Sequence, residues 1–176
     1  EPLARVYLSL NQLYEKVSPG VLRIVVRNAR NESQSGTGFY VSKDGLIATN
    51  WHVIRLSGIR SIRLVMPNGE RVGANVLAID PEADLAILKP RKRVVPGHGF
   101  SGRYAPPLRI GDETFTIGYP KGLRLSFSRG VVSGIRTAAE VRAACSSAGT
   151  LKHSYSYVQT DAGIDPGNSG GPLLDD

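Results

Sequence analysis

Ser169 stands in Gly167-Asn168-Ser169-Gly170-Gly171-Pro172, a serine between a glycine-rich bend and a Gly-Gly-Pro exit. A serine hydroxyl is a poor nucleophile at neutral pH. Hydrolytic chemistry here would need a histidine to take its proton and a carboxylate to orient that histidine. Glycines at 167, 170 and 171 permit a tight, partly left-handed path that can aim neighbouring N–H groups at one point in space. An oxyanion hole has that requirement, which makes Gly167, Asn168 and Ser169 its candidates. A plain surface turn would have the same composition, so the partners decide.

Three histidines can act as the base. His52 follows Leu46-Ile47-Ala48-Thr49-Asn50 and precedes Val53-Ile54, which places it at the end of a strand with its neighbours anchoring the backbone. His98, between glycines in a basic loop, and His153, beside Lys152, read as exposed surface residues. For the carboxylate the best candidate is Asp84, directly before the apolar run Leu85 to Leu88, whereas Asp80 and Glu82 belong to the preceding turn. No histidine pair has the short spacing of a zinc site and Cys145 lacks a second thiol, so no metal is expected. A cysteine hydrolase built on Cys145 and His153 is the weaker alternative, because nothing around Ala143-Ala144-Cys145-Ser146-Ser147 would activate the thiol.

The surrounding elements read mostly as strands. Apolar residues at Leu3, Val6, Tyr7, Leu10, Leu13, Tyr14 and Val17 trace one face of a helix that Ser18-Pro19-Gly20 ends. Beyond it, Val21 to Val26 is a strand and Asn28 to Gln34 a loop. Thr37 to Ser42 and Leu46 to Thr49 flank a Lys43-Asp44-Gly45 hairpin, and Arg60 to Met66 and Arg71 to Ile79 flank Pro67-Asn68-Gly69-Glu70. Leu85 to Leu88 adds a further strand, so the first half reads as a small antiparallel barrel. Pro90 to Pro107 reads as a linker. Strands are then expected at Thr114 to Ile117, Leu123 to Phe127, Val131 to Ile135 and Tyr155 to Thr160, with Ala138 to Lys152 irregular. The expected division is a helix at 1–19, a first barrel at 20–89, a linker at 90–108 and a second barrel at 109–176.

Composition sets the outer limits. With 176 residues, 41% hydrophobic and 21% charged, the chain can build a sizeable core, and its 20 glycines and 11 prolines suit many turns between short strands. The net charge is +7, with Lys89, Arg91, Lys92, Arg93, Arg103 and Arg109 concentrated in one stretch. That stretch lacks interleaved aromatics, so a solvated loop is expected rather than a nucleic-acid surface. No apolar run is long enough to span a membrane as a helix, and the single cysteine excludes an intrachain disulfide.

TNWHVI (Thr49 to Ile54), ADLAIL (Ala83 to Leu88) and QTDAGIDPGNSGGPLL (Gln159 to Leu174) occur in the histidine, aspartate, serine order of chymotrypsin-like proteases. In detail the chain resembles the HtrA/Deg branch, as SGTGFYVSKDGLIATN (Ser35 to Asn50), IGYPKGL (Ile117 to Leu123) and SRGVVSGI (Ser128 to Ile135) also do. The similarity runs from about Val17 to the end. The resemblance implies an all-β fold of two six-stranded antiparallel barrels, with a short N-terminal helix and the cleft between the barrels. His52 would be general base and then acid, Asp84 would hold its tautomer, and Ser169 would attack the scissile carbonyl. N–H groups of Gly167 and Ser169 would form the oxyanion hole, and no cofactor would be needed.

In this fold the sixth residue before the nucleophile floors the primary specificity pocket; here it is Gly163, beside Ile164. With no acid there, cleavage after Val, Ala or Leu is expected. Asn168, where trypsin-like digestive enzymes carry an aspartate, cannot pair with a new amino terminus, so substrate binding or oligomerisation is the expected switch. Trp51 stands where relatives have a smaller or polar residue, and would pack near the cleft. The resemblance further implies protein or peptide substrates, a homotrimer, and the periplasm, the cell envelope or an organelle as location. Seven residues follow Ser169, so the second barrel is expected to lack its last strands and Pro172 to Leu174 to be an unpaired apolar edge. The alternative function is a protease-fold binding or chaperone module without turnover.

Overall fold

A computed structural model describes residues 8–96, 107–144 and 155–175. His98, Cys145 and His153 lie outside the described residues, as does most of the basic linker. The fold is mostly β. Six strands close into a barrel in the order β1-β2-β3-β6-β5-β4, and four form a second sheet in the order β10-β7-β8-β9. The barrel comprises β1 (Val21–Asn28), β2 (Ser33–Tyr40), β3 (Ile47–Asn50), β4 (Ile59–Val65), β5 (Arg71–Asp80) and β6 (Leu85–Pro90). The second sheet comprises β7 (Glu113–Gly118), β8 (Ser126–Thr137), β9 (Ser156–Thr160) and β10 (Leu173–Leu174).

Alternation builds the barrel. On β1, Leu22, Ile24 and Val26 point inward and meet Ile62 and Leu64 of β4, Val72 and Ala74 of β5, and Ala86 and Leu88 of β6. Both expected hairpins form: Gly45 and Gly69 take φ of 83° and 84°, which their turns require and a side chain would resist. The loop expected from Asn28 to Gln34 is shorter. The Asn28 side chain accepts the N–H groups of Arg30 and Glu32, so β2 starts at Ser33 and its polar first half pairs with β1.

Helix α1 (Leu10–Val17) starts at a Ser9 and Gln12 capping box. Its Leu13, Tyr14 and Val17 pack on Phe115, Ile117 and Phe127 of the second sheet, but Leu10, expected on the same face, is exposed. Three further expectations need correction. Leu123 to Phe127 and Val131 to Ile135 belong to no separate strands: β8 runs through Ser126–Thr137, since Gly130 packs against Ala162 without a break in pairing. The start of the segment expected to be irregular is helix α3 (Ala138–Ala144), because Thr137 and Glu140 exchange capping bonds. Finally, Leu173 and Leu174 pair on one side, with Thr116 and Phe115 of β7, while their other side is the edge of the second sheet.

Candidate active site

His52 lies two residues beyond the end of β3, in a single helical turn, α2 (Trp51–Ile54), that follows the strand directly. Asp84 precedes β6, the strand that pairs with β3, and residues 50 and 85 are register partners. Pairing of adjacent strands therefore sets the two side chains face to face. Asp84 adopts φ 53°, a left-handed conformation that aspartate tolerates better than most residues. Three bonds hold it there. Its carbonyl accepts the Trp51 N–H at 3.0 Å and the Asn50 side chain at 2.9 Å, while Oδ1 accepts the His52 N–H at 2.8 Å. The remaining oxygen, Oδ2, is 2.6 Å from His52 Nδ1. The carboxylate thus fixes both the backbone and the ring of His52, and leaves Nε2 facing away from it.

The serine turn docks against the barrel wall beside α2. Ser169 O accepts the Thr37 N–H at 2.8 Å, and Gly167 O accepts the Thr37 hydroxyl at 2.7 Å. Thr37 O in turn takes the Thr49 hydroxyl at 2.7 Å, and the Tyr119 N–H donates to Thr37 Oγ1 at 3.0 Å. A fully buried threonine therefore joins β2, β3, the serine turn and the segment after β7. Two glycines make the approach possible. A Cβ on Gly36 would lie 2.6 Å from Val53 of α2 and 3.0 Å from Ser169 O, and one on Gly170, at φ 84°, would overlap Thr49 and Thr37 and reach within 2.9 Å of Asn50 N. No hydrogen bond joins His52 to Ser169 among the described residues; bonds of this kind often tighten only when substrate is bound.

Backbone bonds also orient the donors of the turn. Pro166 O accepts the Lys121 N–H at 2.6 Å. In a trans peptide the carbonyl and the following N–H point in opposite directions, so the Gly167 N–H turns away from Lys121. Asn168 O likewise accepts the Gly171 N–H at 2.8 Å, which turns the Ser169 N–H away from Gly171. Neither N–H meets a protein acceptor among the described residues. Asn168 differs, because its N–H is spent on Asp165 O at 2.9 Å. Of the candidate oxyanion donors, two remain available.

A recess of about 130 Å³ adjoins the turn, lined by Thr116, Ile117, Val158, Thr160, Ile164 and Asn168 together with Gly171 to Leu173. Ile164 lines it directly. Gly163 lies behind, its carbonyl accepting the Thr116 hydroxyl at 3.0 Å and its α-carbon facing Ser128. Among the described residues no carboxylate or cation lines the recess.

A family model described as "Trypsin-like peptidase domain" matches residues 36–176. The chain belongs to this family. Within it, the relatives are of HtrA type. The chain is 38% identical over 143 residues to "Probable periplasmic serine endoprotease DegP-like" of Chlamydia pneumoniae, covering 81% of this chain and 27% of the relative. It is 34% identical over 181 residues to "Protease Do-like 1, chloroplastic" of Arabidopsis thaliana, covering 96% and 39%, and 35% identical over 175 residues to "Serine protease HTRA2, mitochondrial" of Bos taurus, covering 96% and 36%. Among solved structures, "HtrA-type protease AlgW with tripeptide" superposes with TM-score 0.77 at 29% identity, over 96% of this chain and 51% of that one. The serine endoprotease from Yersinia pestis gives 0.73 at 28%, over 97% and 54%. This HtrA-type domain thus spans less than half the length of those curated relatives.

Sequence reasoning passed over the residues that hold the peptidase domain's serine turn. Thr37 is named there only as the start of a strand, and Lys121, at φ 52°, contributes through its backbone. The available signal for Thr37 was its place between Gly36 and Gly38, small residues that let other chain segments come close. Trp51 packs against the edge of the barrel core with Arg55 stacked over its ring at 4.9 Å.

Proposed function

We propose that the chain is the catalytic domain of a serine endopeptidase that hydrolyses peptide bonds in unfolded or exposed protein segments. The observation that carries this is the pair of hydrogen bonds that Asp84 accepts from His52, at 2.8 Å from the backbone N–H and 2.6 Å from the ring, on the wall where the Ser169 turn docks. With Nδ1–H donated to Asp84, Nε2 carries a lone pair and can accept the Ser169 proton as Oγ attacks the scissile carbonyl. The negative charge that develops on the carbonyl oxygen of the substrate meets the N–H groups of Gly167 and Ser169. The imidazolium, stabilised by Asp84, then gives its proton to the leaving amine. An acyl-Ser169 ester remains, and water activated by His52 hydrolyses it. These steps call on no metal or cofactor.

In this reading 20–89 supplies His52 and Asp84, 109–176 supplies Ser169, and 90–108 connects the two. Gly163 and Ile164 shape a pocket for small or medium aliphatic side chains at the cleavage position. A homotrimer, and the periplasm, the cell envelope or an organelle as location, accompany it, in keeping with relatives named periplasmic, chloroplastic and mitochondrial.

The test is reaction with a fluorophosphonate, applied to this chain and to a form extended at its carboxyl end. A single adduct at Ser169, absent in Ser169→Ala and in His52→Ala, is the expected result. Folded protein that takes no label in either form would overturn the hydrolase reading in favour of a protease-fold binding module.

A further inference from the structure

The outer wall of the barrel gathers positive charge that the peptidase reading does not use. With Leu64, Val72, Ala74 and Leu88 turned into the core, the alternate residues of β4, β5 and β6 face outward. Arg63 occupies the centre of this face. Strand register sets Val25 and Gly73 directly across from it on either side, and Arg27 and Arg71 on the diagonals. Lys89 follows on β6, opposite Asn75. Arg91 completes the group: its N–H donates to Gly73 O at 2.8 Å and its Nε to Asn75 Oδ1 at 3.0 Å. A Cβ on Gly73 would lie 3.1 Å from Arg91 Cδ, so the glycine lets that side chain lie along the wall.

Arg27, Arg63, Arg71, Lys89 and Arg91 are exposed, and none pairs with a carboxylate among the described residues. At the rim, Glu70 is taken by Lys92. Neighbouring strands lie only about 4.8 Å apart, so these like charges repel one another on the free protein. An external array of anions would relieve that repulsion.

We propose that this wall binds an anionic lipid surface, with the cations of β1, β4, β5 and β6 set against its headgroups. The cations are spread over neighbouring strands of a broad barrel face, which suits many monovalent groups in a plane better than a single phosphate. Nucleic acid is less well served. Among the described residues the face carries no aromatic side chain on which a base could stack, and it projects neither a helix nor a β-ribbon into a groove.

Sedimentation with phosphatidylcholine vesicles, with and without phosphatidylglycerol, tests this at low ionic strength. Binding is expected only to the phosphatidylglycerol vesicles, and should be lost on adding salt. Each cation near such a surface contributes about 5-fold in affinity, so Arg63→Gln, Arg71→Gln and Lys89→Gln together should weaken binding about 100-fold. Lys16→Gln, Lys43→Gln and Arg124→Gln remove the same charge elsewhere and should leave most of the binding. Unchanged circular dichroism melts would show that both variants are folded. Equal loss in the two variants would overturn the proposal, because net charge alone would then explain binding. No binding by the parent chain, or preferential binding of duplex DNA lost through the same wall substitutions, would overturn it too.

Discussion

The Thr37 hydroxyl donates to the carbonyl of Gly167 at 2.7 Å, linking β2 to the serine turn across 130 positions of sequence. The same oxygen accepts the Tyr119 N–H, so this one buried side chain of the first barrel satisfies two groups of the second half of the chain. Thr37→Val keeps the shape and removes both bonds. It should cost about 1–3 kcal/mol in urea unfolding, the usual penalty for unpaired buried polar groups. Fluorophosphonate labelling of the folded variant should slow on the order of 10²-fold as the turn loses its position, and Thr37→Ser should restore most of it. Labelling at the parent rate would show that the bond serves stability alone.

Asp84→Asn tests the orienting carboxylate. The amide nearly matches the carboxylate in size but lacks the charge that favours the productive histidine tautomer. Labelling of Ser169 should fall on the order of 10⁴-fold with little change in unfolding midpoint. A loss below about 10-fold would mean that Asp84 positions the backbone of α2 and little else.

A recess lined by Ile117, Val158 and Ile164, with no charged side chain among the described residues, predicts an aliphatic preference at the cleavage position. A peptide library digested by the carboxyl-extended form should be cut after Val, Ala or Leu at least about 10-fold faster than after Lys or Arg, in line with the cost of burying an unpaired cation. Dominant cleavage after Lys or Arg would overturn the assignment of Gly163 and Ile164.

Alkaline stability should depend on Tyr40. Its ring is buried in the first barrel, its hydroxyl lies 3.2 Å from Met66 Sδ, and burial, with a smaller effect of nearby Glu70, raises its pKa above the ordinary tyrosine value. A group whose folded pKa exceeds its unfolded value stabilises the fold fully below the unfolded value, and that contribution is lost as pH rises through the folded one. Denaturant midpoints should therefore decline above about pH 10. Tyr40→Phe should flatten that decline, and an equally steep one would assign it to other groups.

Much of the first barrel was legible because its signals are local. Lys43-Asp44-Gly45 and Pro67-Asn68-Gly69-Glu70 specify turns through residues that accept positive φ, and alternation on β1 and β4 names the inward faces. Where polar residues pair, as in Ser33 to Gly36, alternation is silent and the register of β1 decides. Thr137 and Glu140 are spaced as a capping box, a local signal for the start of α3.

By sequence alone the chain determined which residues are suited to the chemistry, because His52, Asp84 and Ser169 each carry a local signature: a strand end, the start of an apolar strand, a glycine-rich bend. Their assembly belonged to the tertiary structure. Pairing of β3 with β6 faces Asp84 to His52, and the approach of the serine turn to Thr37 spans most of the chain; neither contact has a local pattern from which it could be read. The direction of the Gly167 and Ser169 N–H groups was likewise decided there. Peptide planes are set by the partners of their carbonyls, and those of Pro166 and Asn168 are the N–H groups of Lys121 and Gly171.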